Sequence, residues 1–184
     1  MTARIQAMGC TVVGIERRPE AAAEARRFCE DVLVGDFASM EFPWPPETFD
    51  VVLLIDVLEH LENPASALRR VFPLLRPSSR IVIALPNVAH WSVRSQLLRG
   101  RFEYEDSGIL DRTHLRFFTR DSAQRMLEGA GLEILGTEIV PDVPLLRFKR
   151  HLERLNYGVA RLWPGLLSTE FFFVGRPRGN VSSP

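Results

Sequence analysis

The chain has 184 residues, of which 46% are hydrophobic and 25% charged, as in an ordinary globular domain with an adequate core. Its 23 basic and 23 acidic residues balance, which argues against a nucleic-acid binder that depends on bulk positive charge. No segment reaches the ~18 apolar residues of a membrane-spanning helix, and the first residues lack the apolar core of a signal peptide. We therefore expect a cytoplasmic protein that does not bind nucleic acid.

Apolar runs alternate with helical patterns, which is typical of an α/β fold with a mainly parallel sheet. The first half predicts strands at 11–15, 32–34 and 51–55, helices at 19–27 and 64–72, a turn at 76–79 and a strand at 81–85. The second half predicts helices at 91–98 and 121–130, closing strands at 132–140 and 170–175, and a disordered tail at 177–184. We find no internal repeat and expect one domain over residues 1–176.

Three acidic residues stand at the ends of successive predicted strands. Glu16 ends the first strand, Asp36 follows the second, and Asp56 ends the third. Ligands of open parallel sheets bind outside the carboxyl ends of the strands, where a first carboxylate can accept both hydroxyls of a ribose. A carboxylate after the next strand can accept a hydrogen bond from an exocyclic amine. One such acid is weak evidence because strand ends face solvent, but three in succession favour a nucleotide-type ligand.

The stretch VVLLIDVLEHLENP places Glu59 and His60 directly after the third strand. His60 could act as a general base if a substrate proton lies within reach. The alternative is that His60 begins a helix or lines the wall of a cleft, and the same two interpretations apply to Glu59. The two cysteines lack the spacing of a zinc site, and we expect no metal.

Five segments together resemble class I S-adenosylmethionine-dependent methyltransferases: GCTVVGIERRPEAAAEARR, GDF, FDVVLLIDVLEHLENP, LRP and SRIVIALPN. The similarity covers roughly residues 11–175. The segment ILDRTHLRFFT is similar to a bacterial subgroup linked to methylation of small molecules, quinone precursors or glycan building blocks. The resemblance implies a Rossmann-like, doubly wound sheet, S-adenosylmethionine as the cofactor, and methyl transfer to a small-molecule acceptor, with oxygen slightly preferred.

The resemblance also implies which residues bind the cofactor. Glu16 would hold the ribose hydroxyls. Asp36 and Phe37 would hold the adenine, by a hydrogen bond and by apolar contact respectively. Ile55 and Asp56 would lie along the methionine half of the cofactor.

The resemblance implies that Glu59 and His60 face the substrate side of the cleft, and we take both as candidate catalytic residues. Arg112 and His114 are candidate substrate-binding residues, because the guanidinium of Arg112, like that of Arg116, could bind a carboxylate or phosphate of the acceptor. The alternative is a loop held by its own salt bridges.

The chain departs from the family at its start. Members carry a strand and a glycine-rich loop before the equivalent of Met1, whereas MTARIQAMGC matches the helix that follows that loop. The missing strand would lie between the strands that end in Glu16 and Asp56. A start codon assigned too late, a degenerate fragment and a shortened fold are three explanations, and the first agrees best with the intact motifs.

The same departure leaves a second functional class open. A truncated, non-catalytic methyltransferase-like module could bind a partner or be a remnant. A nicotinamide-dependent oxidoreductase is disfavoured, because the chain has no G-x-G-x-x-G motif.

The segment from Leu145 to Leu167 has helical spacing and several arginines, and forms an insertion before the last strand. It could make weak contact with an anionic membrane surface. The alternative is a solvated helical face that packs on its own domain.

Overall fold

The computed structural model describes residues 2–144, 146 and 150–179, and the chain forms two compact units, Met1–Pro43 and Trp44–Pro184. The helices and strands of the first unit are α1 (Thr2–Gln6), β1 (Val13–Glu16), α2 (Pro19–Ala25) and β2 (Asp31–Val34). Those of the second are β3 (Phe49–Ile55), α3 (Pro64–Val71), β4 (Leu75–Pro86), α4 (Trp91–Leu98), α5 (Arg120–Gly129), β5 (Leu132–Pro141), α6 (Glu153–Leu162), α7 (Pro164–Leu167) and β6 (Ser168–Pro177).

In the first unit, β1 and β2 form a parallel pair in which Glu16 is aligned with Val34. Pro19 begins α2, where its fixed φ suits the first helical turn. Ala22 of α2 and Val32 of β2 are buried and form the core of this unit. Because the strands are parallel, their carboxyl ends lie at the same edge of this small sheet.

The second unit has a four-stranded sheet in the order β3-β4-β6-β5. β3 and β4 are parallel, and β6 runs antiparallel to both β4 and β5. Phe171 and Phe173 of β6 and Ile81 and Ile83 of β4 are fully buried. The predicted closing pair of strands is therefore confirmed, as is the α/β fold class, in a mixed sheet.

β3 is less buried than its continuous apolar sequence predicts. Leu54 is buried, but Val51 is 51% exposed and Leu53 37% exposed. In the described part of the chain, β3 pairs with β4 and with no second strand, and β1 pairs with β2 alone. These apolar side chains are exposed because β3 lies at the edge of its sheet.

The predicted turn at residues 76–79 is also wrong, because these residues form a bulge within β4. Leu75 is aligned with Phe49, and the register resumes with Arg80 opposite Val51. The Ser79 hydroxyl donates to the Phe49 carbonyl at 2.5 Å, which holds the bulge against β3.

The end of the chain differs in part from the prediction. Pro177 pairs with Leu132 as the last residue of β6, and the Arg178 amide donates to the Gly131 carbonyl at 2.7 Å. The predicted disorder is therefore wrong for Pro177 and Arg178, and residues 180–184 lie outside the described residues.

The insertion before β6 is helical, as predicted. It contains a 3-10 helix (Arg150–Leu152), α6 and α7, while residues 145 and 147–149 lie outside the described part. Leu162 and Trp163 are well exposed, and Arg154 and Arg161 lie at the surface. A membrane-surface contact stays a prediction. Among the residues described, no helix has the length and apolar content needed to cross a bilayer.

Candidate functional site

In the first unit, the two predicted nucleotide-binding acids lie at the same edge of the sheet. Glu16 Oε1 accepts the Arg18 amide at 2.9 Å, and Asp36 Oδ1 accepts the Ala38 amide at 2.8 Å. The Gly35 amide donates to the Glu16 carbonyl at 3.0 Å, which joins the ends of the two strands. Each carboxylate is thus oriented by its own turn.

In the second unit, Asp56 follows the carboxyl end of β3 with a φ of 51°. This left-handed conformation is uncommon outside glycine, although aspartate tolerates it better than most residues. It turns the chain sharply from the strand into a 3-10 helix, Leu58–His60. Ile55 is partly buried and Asp56 is exposed.

A distant loop is held against this 3-10 helix by backbone hydrogen bonds. The Glu59 carbonyl accepts the Leu115 amide at 2.9 Å and the Arg116 amide at 3.0 Å. These bonds bring His114 beside His60, with the ring centroids 4.8 Å apart. The structure therefore joins the two sequence segments that carried the predicted substrate residues.

These segments surround a cavity of about 320 Å³ in the second unit. Its lining comes from the end of β3, the end of β4, the loop and the beginning of β6: Asp56, His60, Pro86, Gly108, Ile109, Asp111, His114, Thr169 and Glu170. Asp56, His60 and His114 were predicted site residues. A cavity of this size can take a small ligand.

Glu59 lies behind the cavity rather than on its surface. Its side chain is 1% exposed, and neither carboxylate oxygen has a hydrogen-bond partner among the described residues. Burial, together with the nearby charges of Asp56, Glu170 and Asp111, raises the pKa of Glu59 to about 8.

The Glu59 carboxyl faces His114, with 3.9 Å between Oε1 and Nε2. Burial lowers the pKa of His114, and the Ile109 carbonyl, 3.2 Å from Nδ1, accepts its hydrogen bond. At pH 7 this is consequently a neutral carboxyl beside a neutral imidazole, rather than an ion pair.

His60 lies on the cavity surface in a fixed orientation. Its Nδ1 lies 3.1 Å from the Thr113 carbonyl, which can only accept a hydrogen bond. The Thr113 hydroxyl donates to Asp111 Oδ1 at 2.6 Å, and this bond holds the pKa of Asp111 below its usual range. The hydrogen on His60 is thus fixed at Nδ1, which leaves the Nε2 lone pair available as a base.

Glu170, which the sequence analysis did not select, completes the polar wall. Burial, together with the charge of Asp56, raises the pKa of Glu170 to about 7. Its Oε1 is buried and has no hydrogen-bond partner among the described residues. Because β6 is antiparallel to β4, Glu170 at its beginning is aligned with Pro86 at the end of β4. The sequence predicted a closing strand at 170–175 but not its direction, and therefore gave no signal for Glu170.

The buried Asn87 fixes the position of this wall. Its side-chain Nδ2 donates to the carbonyls of Gly165 and Ser168 at 3.1 and 2.7 Å. Its backbone N–H donates to the Thr169 carbonyl at 2.8 Å. Its Oδ1 accepts the Ala89 amide at 3.0 Å.

The arginines of the loop contact the protein itself. Arg112 pairs with Asp106 at 2.6 Å, and Arg116 donates to the Glu62 carbonyl at 2.7 Å. Among the described residues, neither lines the cavity. This arrangement agrees with the alternative of a loop held by its own contacts, and the substrate-binding role of Arg112 stays a prediction.

Donor atoms of Glu59, His60 and His114 lie within 4.8 Å of one another, so these residues could hold a metal ion. The carbonyls of Thr113 and Ile109 already account for the orientation of both imidazoles.

Comparisons with known proteins agree with this architecture. The chain is 30% identical over 100 residues to a ubiquinone biosynthesis O-methyltransferase of Aeromonas salmonicida, covering 54% of this chain and 42% of that protein. It is 30% identical over 125 residues to the tRNA 5-carboxymethoxyuridine methyltransferase of Escherichia coli, covering 65% and 48% respectively. The chain thus spans about half the length of these curated relatives.

A solved structure extends the comparison to the fold. The 1,6-didemethyltoxoflavin-N1-methyltransferase of Burkholderia thailandensis, bound to 1,6-didemethyltoxoflavin and S-adenosylhomocysteine, matches with a TM-score of 0.59. The match covers 97% of this chain and 66% of that one, at 18% identity.

A family model described as a methyltransferase domain matches residues 1–137. Together with these relatives, the match confirms the predicted family, its Rossmann-like fold and S-adenosylmethionine as the cofactor of that family. The chain belongs to the methyltransferase-domain family.

Proposed function

We propose that the protein transfers a methyl group from S-adenosylmethionine to a small-molecule acceptor, with oxygen slightly preferred as the methylated atom. The observation that carries this proposal is the cavity at the carboxyl end of β3. It places a fixed imidazole, His60, beside Asp56, the predicted cofactor-side residue. The predicted cytoplasmic location is retained as part of the proposal.

The residues of each unit fit their proposed roles toward the cofactor. Glu16 and Asp36 lie at one edge of a parallel pair with their carboxylates oriented by backbone amides, as binding of a ribose and an adenine would require. Phe37 would add apolar contact to the adenine. Ile55 and Asp56 would hold the methionine half. When bound, the cofactor supplies a methyl group on a sulfonium that is already activated for transfer.

His60 is the proposed general base. An alcohol or phenol must lose its proton as it is methylated, and the lone pair of His60 Nε2 is available to accept it. Alignment of the acceptor within the cavity would supply much of the remaining acceleration. Glu59 would act through His114, because its carboxyl lies behind the cavity surface.

A small-molecule acceptor is supported by the cavity and by the charge of the chain. A volume of about 320 Å³ suits a compact ligand, and the balanced charge offers no bulk attraction to a polynucleotide. The Aeromonas relative is a ubiquinone biosynthesis enzyme, whereas the Escherichia coli relative acts on tRNA. The two acceptor classes are therefore compared directly in the experiment.

The purified chain is incubated with methyl-labelled S-adenosylmethionine and either a bacterial metabolite extract or total tRNA. Label should enter the small-molecule fraction. The variant His60→Ala should transfer label about 100-fold more slowly, the range expected for loss of a general base. Glu62→Gln, an exposed neighbour, serves as the control and should retain the rate.

Label entering tRNA instead would overturn the small-molecule acceptor. An unchanged rate in His60→Ala would remove the general-base role. Transfer to neither acceptor class would favour the alternative of a non-catalytic methyltransferase-like module.

A further inference from the structure

The helix α6, which precedes β6, is held against the second unit along one side only. On this inner side, Ala160 is fully buried and Asn156 is buried. The side-chain Oδ1 of Asn156 accepts the Val143 amide at 3.0 Å, and the Tyr157 hydroxyl donates to Glu138 of β5 at 2.5 Å. These contacts fix which side of α6 faces away from the unit.

The outward face of α6 and α7 consists of four large apolar side chains: Leu155, Leu162, Trp163 and Leu166. Leu155 and Leu162 are seven residues apart, which places both on one side of α6. These two leucines and Trp163 are each more than half exposed, and Leu166 of α7 is also exposed. Single exposed apolar residues are common, but four in the twelve residues 155–166 indicate a contact surface rather than a solvated helical face.

Two arginines lie beside this apolar row. Arg154 and Arg161 are also seven residues apart, each directly before one of the leucines, and both are exposed. The guanidinium carbon of Arg161 lies 5.8 Å from the centre of the Tyr157 ring, which holds this charge beside the helix. Glu153, the only acid in the sequence of α6, is two residues from Leu155 and therefore lies on the opposite side of the helix. Positive charge beside an apolar row is complementary to an anionic lipid surface.

We propose that the outward face of α6 and α7 binds an anionic membrane surface. Its apolar side chains would enter the interfacial region, and Arg154 and Arg161 would contact lipid phosphates. Trp163 suits this depth, because an indole ring is apolar but carries one polar N–H. A second copy on the same face would instead bring two rows of arginines together. The proposal is independent of methyl transfer, since none of these residues lines the cavity.

Sedimentation with lipid vesicles tests the proposal. The purified chain is mixed at low salt with vesicles of phosphatidylcholine alone, or of phosphatidylcholine and the anionic lipid phosphatidylglycerol. We expect the chain to sediment with the anionic vesicles and to stay in solution with the others. It should be released at about 1 M salt, where the Debye length falls to about 3 Å.

Two double variants separate the contribution of the apolar row from that of the charge. Leu162→Gln with Trp163→Gln should lower the affinity for anionic vesicles at least about tenfold. Arg154→Gln with Arg161→Gln should lower it about 30-fold, as expected for two arginines near an anionic surface. All four positions are exposed, so both variants should keep the fold, which circular dichroism checks. If one variant does not fold, the other decides the outcome.

Matched controls make the same changes at exposed positions on other helices. Leu97→Gln with Leu98→Gln alters α4, and Arg69→Gln with Arg125→Gln alters α3 and α5. Both control variants should bind anionic vesicles like the unmodified chain.

No sedimentation with anionic vesicles, equal sedimentation with both kinds of vesicle, or unchanged affinity in either folded double variant would overturn the proposal. An equal loss of affinity in the control variants would also overturn it, because binding would then not belong to the outward face. Sedimentation velocity without lipid tests the other occupant. A dimer that Leu162→Gln with Trp163→Gln dissociates would assign the outward face to a second copy and overturn the membrane proposal.

Discussion

Replacing Gly175 with alanine should lower the free energy of unfolding by about 3 kcal/mol, the upper range for forcing an extra carbon into a packed core. Gly175 lies in β6, between Ile81 of β4 and Ile134 of β5. A Cβ at this position would lie 2.7 Å from the Glu133 carbonyl oxygen and 2.8 Å from two side-chain carbons of Leu132. The backbone oxygen belongs to a paired strand and the leucine is fully buried, so neither can move without disturbing the sheet.

Gly136 of β5 provides a matched control in the same sheet. A Cβ built on Gly136 meets no atom within 4 Å. Gly136→Ala should therefore change stability by less than about 1 kcal/mol, with a gain expected from the reduced entropy of the unfolded chain. Urea denaturation followed by circular dichroism measures both variants. Equal losses in the two variants would show that the close contact at Gly175 is not the cause.

Replacing Glu59 with glutamine should remove much of the pH dependence of stability between pH 6 and 9. The pKa of Glu59 is raised from 4.5 to about 8, so the folded state holds a proton that the unfolded state releases. The unfolding free energy therefore falls as pH rises from about 4.5 to about 8. One pKa unit corresponds to about 1.4 kcal/mol, so titration of Glu59 should lower the unfolding free energy by about 3 kcal/mol as the pH rises from 6 to 9.

Urea denaturation at pH 6 and pH 9 measures this effect. At each pH, the unfolding free energy of the unmodified chain is subtracted from that of Glu59→Gln. This difference should be about 3 kcal/mol larger at pH 9 than at pH 6. A smaller dependence should remain between pH 6 and about pH 7, because the pKa of Glu170 is raised from 4.5 to about 7 and its effect ends above that pH. Glu62→Gln, at an exposed position, is the control and should follow the unmodified chain. A constant difference between Glu59→Gln and the unmodified chain at both pH values would mean that Glu59 is ionised throughout.

The sequence predicted those helices and strands whose positions depend only on local sequence patterns. Alternation of apolar and helical segments placed the strands that end in Glu16 and Ile55, and Pro64 after Asn63 marked the start of α3. It failed where the outcome depends on pairing. The apolar sequence of β3 does not reveal that one edge of this strand has no partner strand among the described residues. Residues 76–79 have turn-forming side chains, although the structure places them in the bulge of β4.

The sequence predicted some of the residues that line the cavity but neither Glu170 nor the burial of Glu59. Asp56, His60 and His114 belong to segments with recognisable motifs, and the structure brings them together. Glu170 was missed because its role depends on the antiparallel direction of β6, which places the beginning of that strand beside the end of β4. Burial of Glu59 behind His114 follows from backbone bonds to a loop more than fifty residues away, which local patterns do not reveal.

Calorimetric titration of the chain with S-adenosylhomocysteine tests the central claim, that the acids at the strand ends bind the methyl donor. We predict saturable binding of one molecule per chain, weakened at least about tenfold by Glu16→Gln and unaffected by Glu20→Gln, an exposed acid at the start of α2. Absence of binding, or equal affinity in the Glu16 variant and the unmodified chain, would contradict the claim.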